Sequence, residues 1–222
     1  MSPIFGEGSQ MDEQSDRTAL LSALTTEHFV LQTANNSTYA EASARSTLYV
    51  MALSSILVAM GFVASSTDLL IPFAVISLPA VFLLGIFTVI RLVESALDSL
   101  QCLKGIARIR GYYRTLGPEA ARYFSRQYGR WPEVEPPALR FGPALAFFGT
   151  TAAMIATINN VVAGVGIALL TRFLAPSAPY WVAAVAGITG ALVLTWLFYA
   201  YQRWRFDDYD ARTHQPADDA HA

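Results

Sequence analysis

Charge is missing from four long stretches of this 222-residue sequence. Asp, Glu, Lys and Arg are all absent from residues 46–67, 69–90, 141–171 and 173–202. A helix needs roughly 20 apolar residues to cross about 30 Å of hydrocarbon, and each stretch is long enough. The pattern therefore predicts an all-α fold with four transmembrane helices.

Charge is also low over the chain as a whole. Charged residues make up 14% of the sequence and hydrophobic residues 54%, whereas a soluble domain contains roughly 25% charged residues. The formal net charge is −2, whereas nucleic-acid binders usually carry a strongly basic domain. We therefore expect the lipid bilayer, and no nucleic acid, as a partner.

Cysteine and histidine are scarce. Cys102 is the only cysteine, so neither an intrachain disulfide nor a thiolate metal cluster can form. His28 is the only histidine outside the carboxyl-terminal tail, which leaves no set of metal ligands and no nucleophile with a base. Phosphate-loop and dinucleotide motifs are absent too. We expect no catalytic residue, no metal and no cofactor, and hence no enzyme.

Basic residues are distributed unevenly between the connections. Nine of the fifteen lie between the second and third spans: Arg91, Lys104, Arg108, Arg110, Arg114, Arg122, Arg126, Arg130 and Arg140. The connection at Asp68 has none, and the one after span three has only Arg172. Because Lys and Arg collect on the cytoplasmic side, this predicts that both termini and the long central segment lie in the cytoplasm.

Helix breakers are missing where the first two spans meet their cytoplasmic flanks. Gly and Pro are absent from residues 17–57 and, except for Gly85, from residues 80–104, so spans one and two should continue as cytoplasmic helices. The predicted segments are a disordered start (1–16), a cytoplasmic helix (17–45), a transmembrane hairpin (46–90), cytoplasmic helices (91–130), a proline-rich loop (131–142), a second transmembrane hairpin (143–203) and a polar acidic tail (204–222).

Apolar side chains recur at helical spacing in both extensions. The first extension carries Leu21, Leu24, His28 and Leu31, and the second carries Val93, Ala96, Leu100, Leu103 and Ala107. Each set would form one buried seam. A kink can occur in the polar stretch 32–38, and Pro118 can begin a short helix that runs to residue 128. These extensions would make a helical bundle in the cytoplasm.

Small and polar residues form a stripe in span three. Its members are Thr150, Ala153, Thr157, Asn160 and Gly164, with Asn159 beside them. Weaker stripes are Ser54, Gly61 and Ser65 in span one and Ala183, Gly187 and Ala191 in span four. Such residues let helices pack closely and hydrogen-bond to each other. The alternatives are an aqueous path between subunits and a buried polar ligand.

Two prolines interrupt span two. Pro72 and Pro79 each remove a backbone donor and should bend the helix. A structural bend is the first interpretation, and a gating hinge is the alternative.

A small charge patch follows span two. Arg91, Glu94 and Asp98 share one helix face near the membrane surface. They can form a solvated cluster in which Arg91 offsets two acids. The alternatives are a cation site and a coupling patch.

Two short strings carry a resemblance. Residues 25–32 (TTEHFVLQ) and 42–49 (ASARSTLY), followed by a serine-containing span, resemble the amino-terminal half of a group of uncharacterised small bacterial four-span integral membrane proteins. The resemblance implies a helical protein of the bacterial inner membrane. In organisation, hairpin spans prolonged into cytoplasmic helices are similar to membrane effector domains of bacterial defence systems.

Three functional hypotheses follow. The first is a homo-oligomeric pore or membrane effector with a cytoplasmic helical regulatory bundle. The second is a membrane-anchored scaffold or interaction subunit that binds a cytoplasmic protein partner. A small-solute transporter is less favoured, because the spans contain no charge and show no internal repeat.

Overall fold

A computed structural model describes residues 7–124 and 149–213. Every regular element within these two ranges is an α-helix. The elements are α1 (Glu7–Val63), α2 (Thr67–Arg114), the single turn α3 (Ala120–Tyr123), α4 (Thr151–Leu174) and α5 (Tyr180–Thr213). The predicted all-α class is confirmed for this part of the chain, whereas the predicted proline-rich loop 131–142 lies outside it.

The first two helices continue beyond their apolar stretches. α1 contains 57 residues and α2 contains 48, so at 1.5 Å per residue they measure about 85 and 72 Å. A bilayer core is only about 30 Å thick. The predicted continuity of both helices is confirmed, and α1 runs unbroken through residues 32–38. A three-residue turn, 64–66, connects the pair, with the Ser66 amide donating to the Val63 carbonyl at 3.0 Å.

Helix covers part of the expected disordered start and part of the predicted polar tail. α1 begins at Glu7, so residues 7–16 of the expected disordered start are helical; acidic residues near a helix amino terminus favour this through the helix dipole. α5 continues to Thr213, well into the segment 204–222. Ion pairs one turn apart support that extension: Arg203–Asp207 and Arg212–Asp208.

The chain divides into two compact units. We call Met1–Ala40 with Asp98–Glu135 the polar unit, and Glu41–Leu97 with Pro136–Ala222 the span unit. In the polar unit, the predicted α1 seam is half-buried at all four of its residues. Gly105 of α2 lies against Leu31, and the Ser99 hydroxyl donates to Asn35 Oδ1 at 2.7 Å.

The predicted α2 seam is only partly right. Val93 is fully buried, but Ala96 is exposed. The buried face instead includes Ser95, Ser99 and Ile106. A pattern that counts only apolar residues does not detect buried serines, and the predicted seam was therefore placed partly on the wrong face of α2.

The span unit has an apolar core and an apolar outer surface. Its core residues are Tyr49, Leu53, Val81, Val89, Leu92, Val93, Ala152, Ile155 and Ala156. Outside them, Phe62, Ile76 and Leu174 are 80%, 74% and 71% exposed, which would be costly in water. α1, α2, α4 and α5 are each long and apolar enough to cross a membrane. These four candidate spans indicate a membrane protein.

Candidate functional site: polar contacts among the spans

The span-three stripe starts with a helix cap. Thr150 is the N-cap of α4, and its hydroxyl accepts a hydrogen bond from the Ala153 amide at 3.2 Å. Ala153 is buried. Thr157 is exposed, and its hydroxyl donates to the Ala153 carbonyl of its own helix at 2.8 Å. The stripe therefore divides, because Thr157 lies at the edge of the packed face rather than within it.

The remaining stripe residues contact α5. Asn160 Nδ2 donates to Thr195 Oγ1 at 3.1 Å, and both residues belong to apolar segments. One turn further, Gly164 lies against the backbone of Gly187 and near Ala191. Residue numbers rise on one helix as they fall on the other, so α4 and α5 form an antiparallel hairpin. The small residues predicted in spans three and four thus meet each other.

Asn159 forms hydrogen bonds to two other helices, although sequence analysis placed it only beside the stripe. Its Oδ1 accepts from the Tyr49 hydroxyl at 3.2 Å, and its Nδ2 donates to the Phe82 carbonyl at 3.2 Å. Gly85 of α2 faces the same amide, leaving no room there for a Cβ. One side chain therefore connects α4 to both α1 and α2. Gly85 was the available signal, as the lone glycine in the second apolar stretch.

The weaker stripe of span one lies on the surface. Ser54, Gly61 and Ser65 are exposed, and a Cβ added to Gly61 would meet no atom within 4 Å. The described residues of the chain therefore leave this small-residue face of α1 uncovered near Gly61.

The candidate hinge lies inside an uninterrupted helix. Pro72 and Pro79 are both exposed, and α2 continues past each of them. Each proline leaves the carbonyl four residues earlier without its usual amide donor. In α2 these carbonyls belong to Asp68 and Val75.

The charge patch after span two is divided between helices. Arg91 Nε and Nη2 donate to the two carboxylate oxygens of Glu41 on α1, at 2.8 and 3.1 Å. Glu94 binds Arg205 of α5 through contacts as short as 2.7 Å. Asp98 is exposed and belongs to the polar unit. Arg91 and Glu94 therefore each bind a residue of another helix, which the spacing within α2 did not predict.

Each ion pair includes one further charged residue from a neighbouring turn of the same helix. Arg45 also donates to Glu41, at 2.8 Å, and Arg205 also contacts Asp208 at 3.2 Å. The hydrogen bond from Arg91, followed by that from Arg45, lowers the pKa of Glu41 from 4.5 to about 2. Glu41 therefore stays ionised at every physiological pH and keeps both guanidinium groups in place.

Within residues 7–124 and 149–213, no group of three or more His, Cys, Asp or Glu side chains could hold a metal ion. Two asparagines of α4 hydrogen-bond to side chains of other spans, Asn160 to Thr195 and Asn159 to Tyr49. Comparison of the chain with protein-family models, with curated proteins and with solved structures finds no match.

Proposed function

We propose that this chain is a non-enzymatic, multi-pass protein of the bacterial plasma membrane that anchors a cytoplasmic partner. The four spans form the anchor, and the polar unit presents the binding surface. Both termini face the cytoplasm in this proposal, as the nine basic residues between spans two and three favour.

The supporting observation is the engagement of the polar span residues within one chain. A water path needs amide and hydroxyl groups that face a shared axis. Here Asn160 donates to Thr195, and Asn159 accepts a hydrogen bond from Tyr49 and donates one to the Phe82 carbonyl. Gly164 is covered by Gly187. This arrangement supports a packed anchor better than a polar lining.

A second candidate function is a homo-oligomeric pore or membrane effector. The exposed residues Ser54 and Gly61 of α1 favour it, because small residues on a membrane helix allow a second helix to approach closely. A second copy of the chain could pack there. The two proposals differ in whether the span unit conducts ions, and flux measurements distinguish them.

Measurements of ion flux and subunit number distinguish the anchor from the pore. Vesicles containing the purified chain should leak no faster than empty vesicles, and mild-detergent native mass spectrometry should give the same species for the wild type and for Gly61→Leu. Gly166→Leu is the matched control, because Gly166 also lies in a span with no atom within 4 Å of an added Cβ. Leak above background that Gly61→Leu abolishes and Gly166→Leu preserves would favour the pore.

Photocrosslinking in cells tests the partner. A photoreactive residue replaces Phe29, which is 62% exposed in the polar unit, or Phe62, which is 80% exposed in the span unit. The anchoring proposal expects one reproducible protein adduct at residue 29 and only lipid at residue 62. Equal labelling of the same protein at both positions, or no protein adduct at residue 29, would contradict it.

Cysteine labelling tests the orientation. Cys102 is first replaced by Ser, and a cysteine is then introduced at Ala64 in the α1–α2 turn or at exposed Ala23. An impermeant maleimide should label position 64 in intact cells and position 23 only after the membrane is permeabilised. The reverse labelling pattern would show that the α1–α2 turn faces the cytoplasm and would contradict the proposed orientation.

A further inference from the structure

A cavity of about 250 Å³ lies within the span unit, where α2, α4 and α5 line it. All three helices are candidate membrane spans. Apolar cavities of about 150 Å³ already hold a benzene ring, so this one has room for roughly eight to ten carbon atoms. Two of its lining residues, Ile90 and Leu197, are 41% and 49% exposed. The cavity is therefore open to the hydrocarbon that surrounds the spans.

The wall of the cavity is mainly apolar. Eight of the eleven lining residues carry hydrocarbon side chains, among them Ile86 of α2 and Leu194 of α5. The other three are Asn159, Asn160 and Tyr201. Hydrocarbon side chains offer dispersion contacts and no hydrogen bonds, so most of this wall suits a ligand made of carbon.

Two amides of α4 interrupt the apolar wall, and they differ in what they bind. Asn159 uses both its oxygen and its nitrogen, towards the Tyr49 hydroxyl and the Phe82 carbonyl. Asn160 is only 7% exposed, and its side chain makes one hydrogen bond in the described part of the chain, from Nδ2 to Thr195. Its Oδ1 accepts none there. A buried acceptor without a donor is uncommon, since its desolvation is then uncompensated.

One unused acceptor in an apolar cavity favours a ligand with one hydroxyl group and a hydrocarbon body. A lipid acyl chain would fill the space but bring no donor to Asn160. Water would bring a donor, but a buried water makes about three hydrogen bonds, and Asn159 is already engaged. A charged ligand would be costly at this depth. An alcohol or a phenol satisfies the acceptor and covers the rest of the wall with carbon.

We propose that this cavity binds a membrane-soluble alcohol or phenol. The ligand hydroxyl donates to Oδ1 of Asn160, and the hydrocarbon body lies against Ile86 and Leu194. The ligand enters from the lipid, past Ile90 and Leu197. The site is independent of the proposed function, because it holds its ligand whether the span unit acts as an anchor or as a pore.

Photolabelling with a diazirine-bearing octanol tests the site on the full chain in phosphatidylcholine nanodiscs. Mass spectrometry should locate adducts on the α2 and α5 peptides that line the cavity. Unlabelled 1-octanol should compete with the probe at least about fivefold better than octane or 1-methoxyoctane at the same concentration in the lipid. Neither competitor donates a hydrogen bond, and a net hydrogen bond changes affinity by about this factor.

A pair of variants in α4 tests the acceptor. Asn160→Leu should weaken competition by 1-octanol at least about fivefold, because the acceptor is gone. Thr157→Val is the matched control, since it removes a hydroxyl of the same helix that does not line the cavity. Its labelling and competition should equal those of the wild type.

A pair of variants in α5 tests the cavity itself. Leu194→Trp fills the space without changing Asn160 and should remove the adducts. Leu192→Trp makes the same exchange at a residue that is 65% exposed and outside the wall, and it should keep them. The melting temperature of each variant reports whether it is folded.

Several results would overturn the proposal. They are equal competition by octanol and its methyl ether, absence of adducts in the wild type, and unchanged competition in a folded Asn160→Leu variant. Adducts that persist in folded Leu194→Trp, or an equal loss in Thr157→Val, would overturn it as well. The comparison of the alcohol with the ether uses only the wild type, so it decides the matter even where a variant does not fold.

Discussion

Gly164 and Gly187 lie back to back, and a side chain on either would collide with the other's backbone. A Cβ on Gly164 would lie 2.7 Å from the Gly187 carbonyl oxygen, and one on Gly187 would lie 2.5 Å from that of Gly164. The obstacle is backbone in both cases, so it cannot rotate away. Close approach at this point is what lets Asn160 reach Thr195 one turn earlier along α4.

Gly164→Leu should therefore destabilise the α4–α5 hairpin. Because helices forced apart lose contacts along their whole interface, we expect a loss of about 1–3 kcal/mol in the free energy of unfolding. Denaturation with SDS in mixed micelles measures it. Gly166→Leu, on the same helix with open space around it, should change stability by less than a third as much. Equal losses in both variants would contradict the prediction.

Asn159 offers a graded test of the contact between α1, α2 and α4. Tyr49→Phe removes one hydroxyl donor, so we expect the average membrane hydrogen-bond loss of about 0.6 kcal/mol. Gly85→Ala introduces a methyl group where the Asn159 amide lies and should cost about 1–3 kcal/mol. Gly61→Ala is the control in open space. If Tyr49→Phe proves the more harmful of the two, the amide does not connect the helices in this way.

Variants of Asn160 and Thr157 distinguish a packing role for these residues from a role in lining a water path. Asn160→Leu should lower stability by about 0.6 kcal/mol because it removes the bond to Thr195. Thr157→Val should be close to neutral, since that hydroxyl is exposed and bonds only within its own helix in the described structure. Neither change should alter ion flux in vesicles. Flux that falls in both folded variants would instead assign these residues to an aqueous path.

Acid should weaken the Glu41 ion pairs. The pKa of Glu41 falls from 4.5 to about 2 in the folded chain because Arg91 and Arg45 donate to it. A lowered carboxyl pKa contributes stability that is complete above about pH 4.5 and is lost as the pH falls towards 2. The difference in melting temperature between the wild type and Glu41→Gln should shrink over this interval.

Glu27→Gln serves as the control for that experiment, because Glu27 is an exposed carboxylate on the same helix. Its melting temperature should follow the wild-type value throughout the titration. A constant difference between wild type and Glu41→Gln from pH 6 to pH 2 would show that the carboxylate charge contributes nothing.

Local signals account for what the sequence predicts well. The candidate spans follow from missing charge, and the long helices α1 and α2 follow from missing helix breakers. The seam of Leu21, Leu24, His28 and Leu31 follows from spacing on one helix, and all four are half-buried. Each of these properties depends on a few neighbouring residues, so one sequence suffices to find it.

Pairing between helices accounts for most of what the sequence misses. Tyr49 and Asn159 are 110 positions apart, and their contact depends on how two helices are rotated about their axes. Periodicity reports which face of one helix is polar but not which helix that face meets. Arg91 shows the same limit, since spacing points to Glu94 three residues later whereas its partner Glu41 lies 50 positions away.

Arg91 and Glu94 of α2 carry opposite charges, and each forms an ion pair with a different helix. Apolar surfaces of membrane helices are nearly interchangeable, so hydrophobic contact alone discriminates poorly between neighbours. Arg91 pairs with Glu41 of α1, and Glu94 pairs with Arg205 of α5. If α1 and α5 exchanged places, each residue would meet a like charge. The two ion pairs thus favour the observed positions of α1 and α5 over an exchange of the two helices.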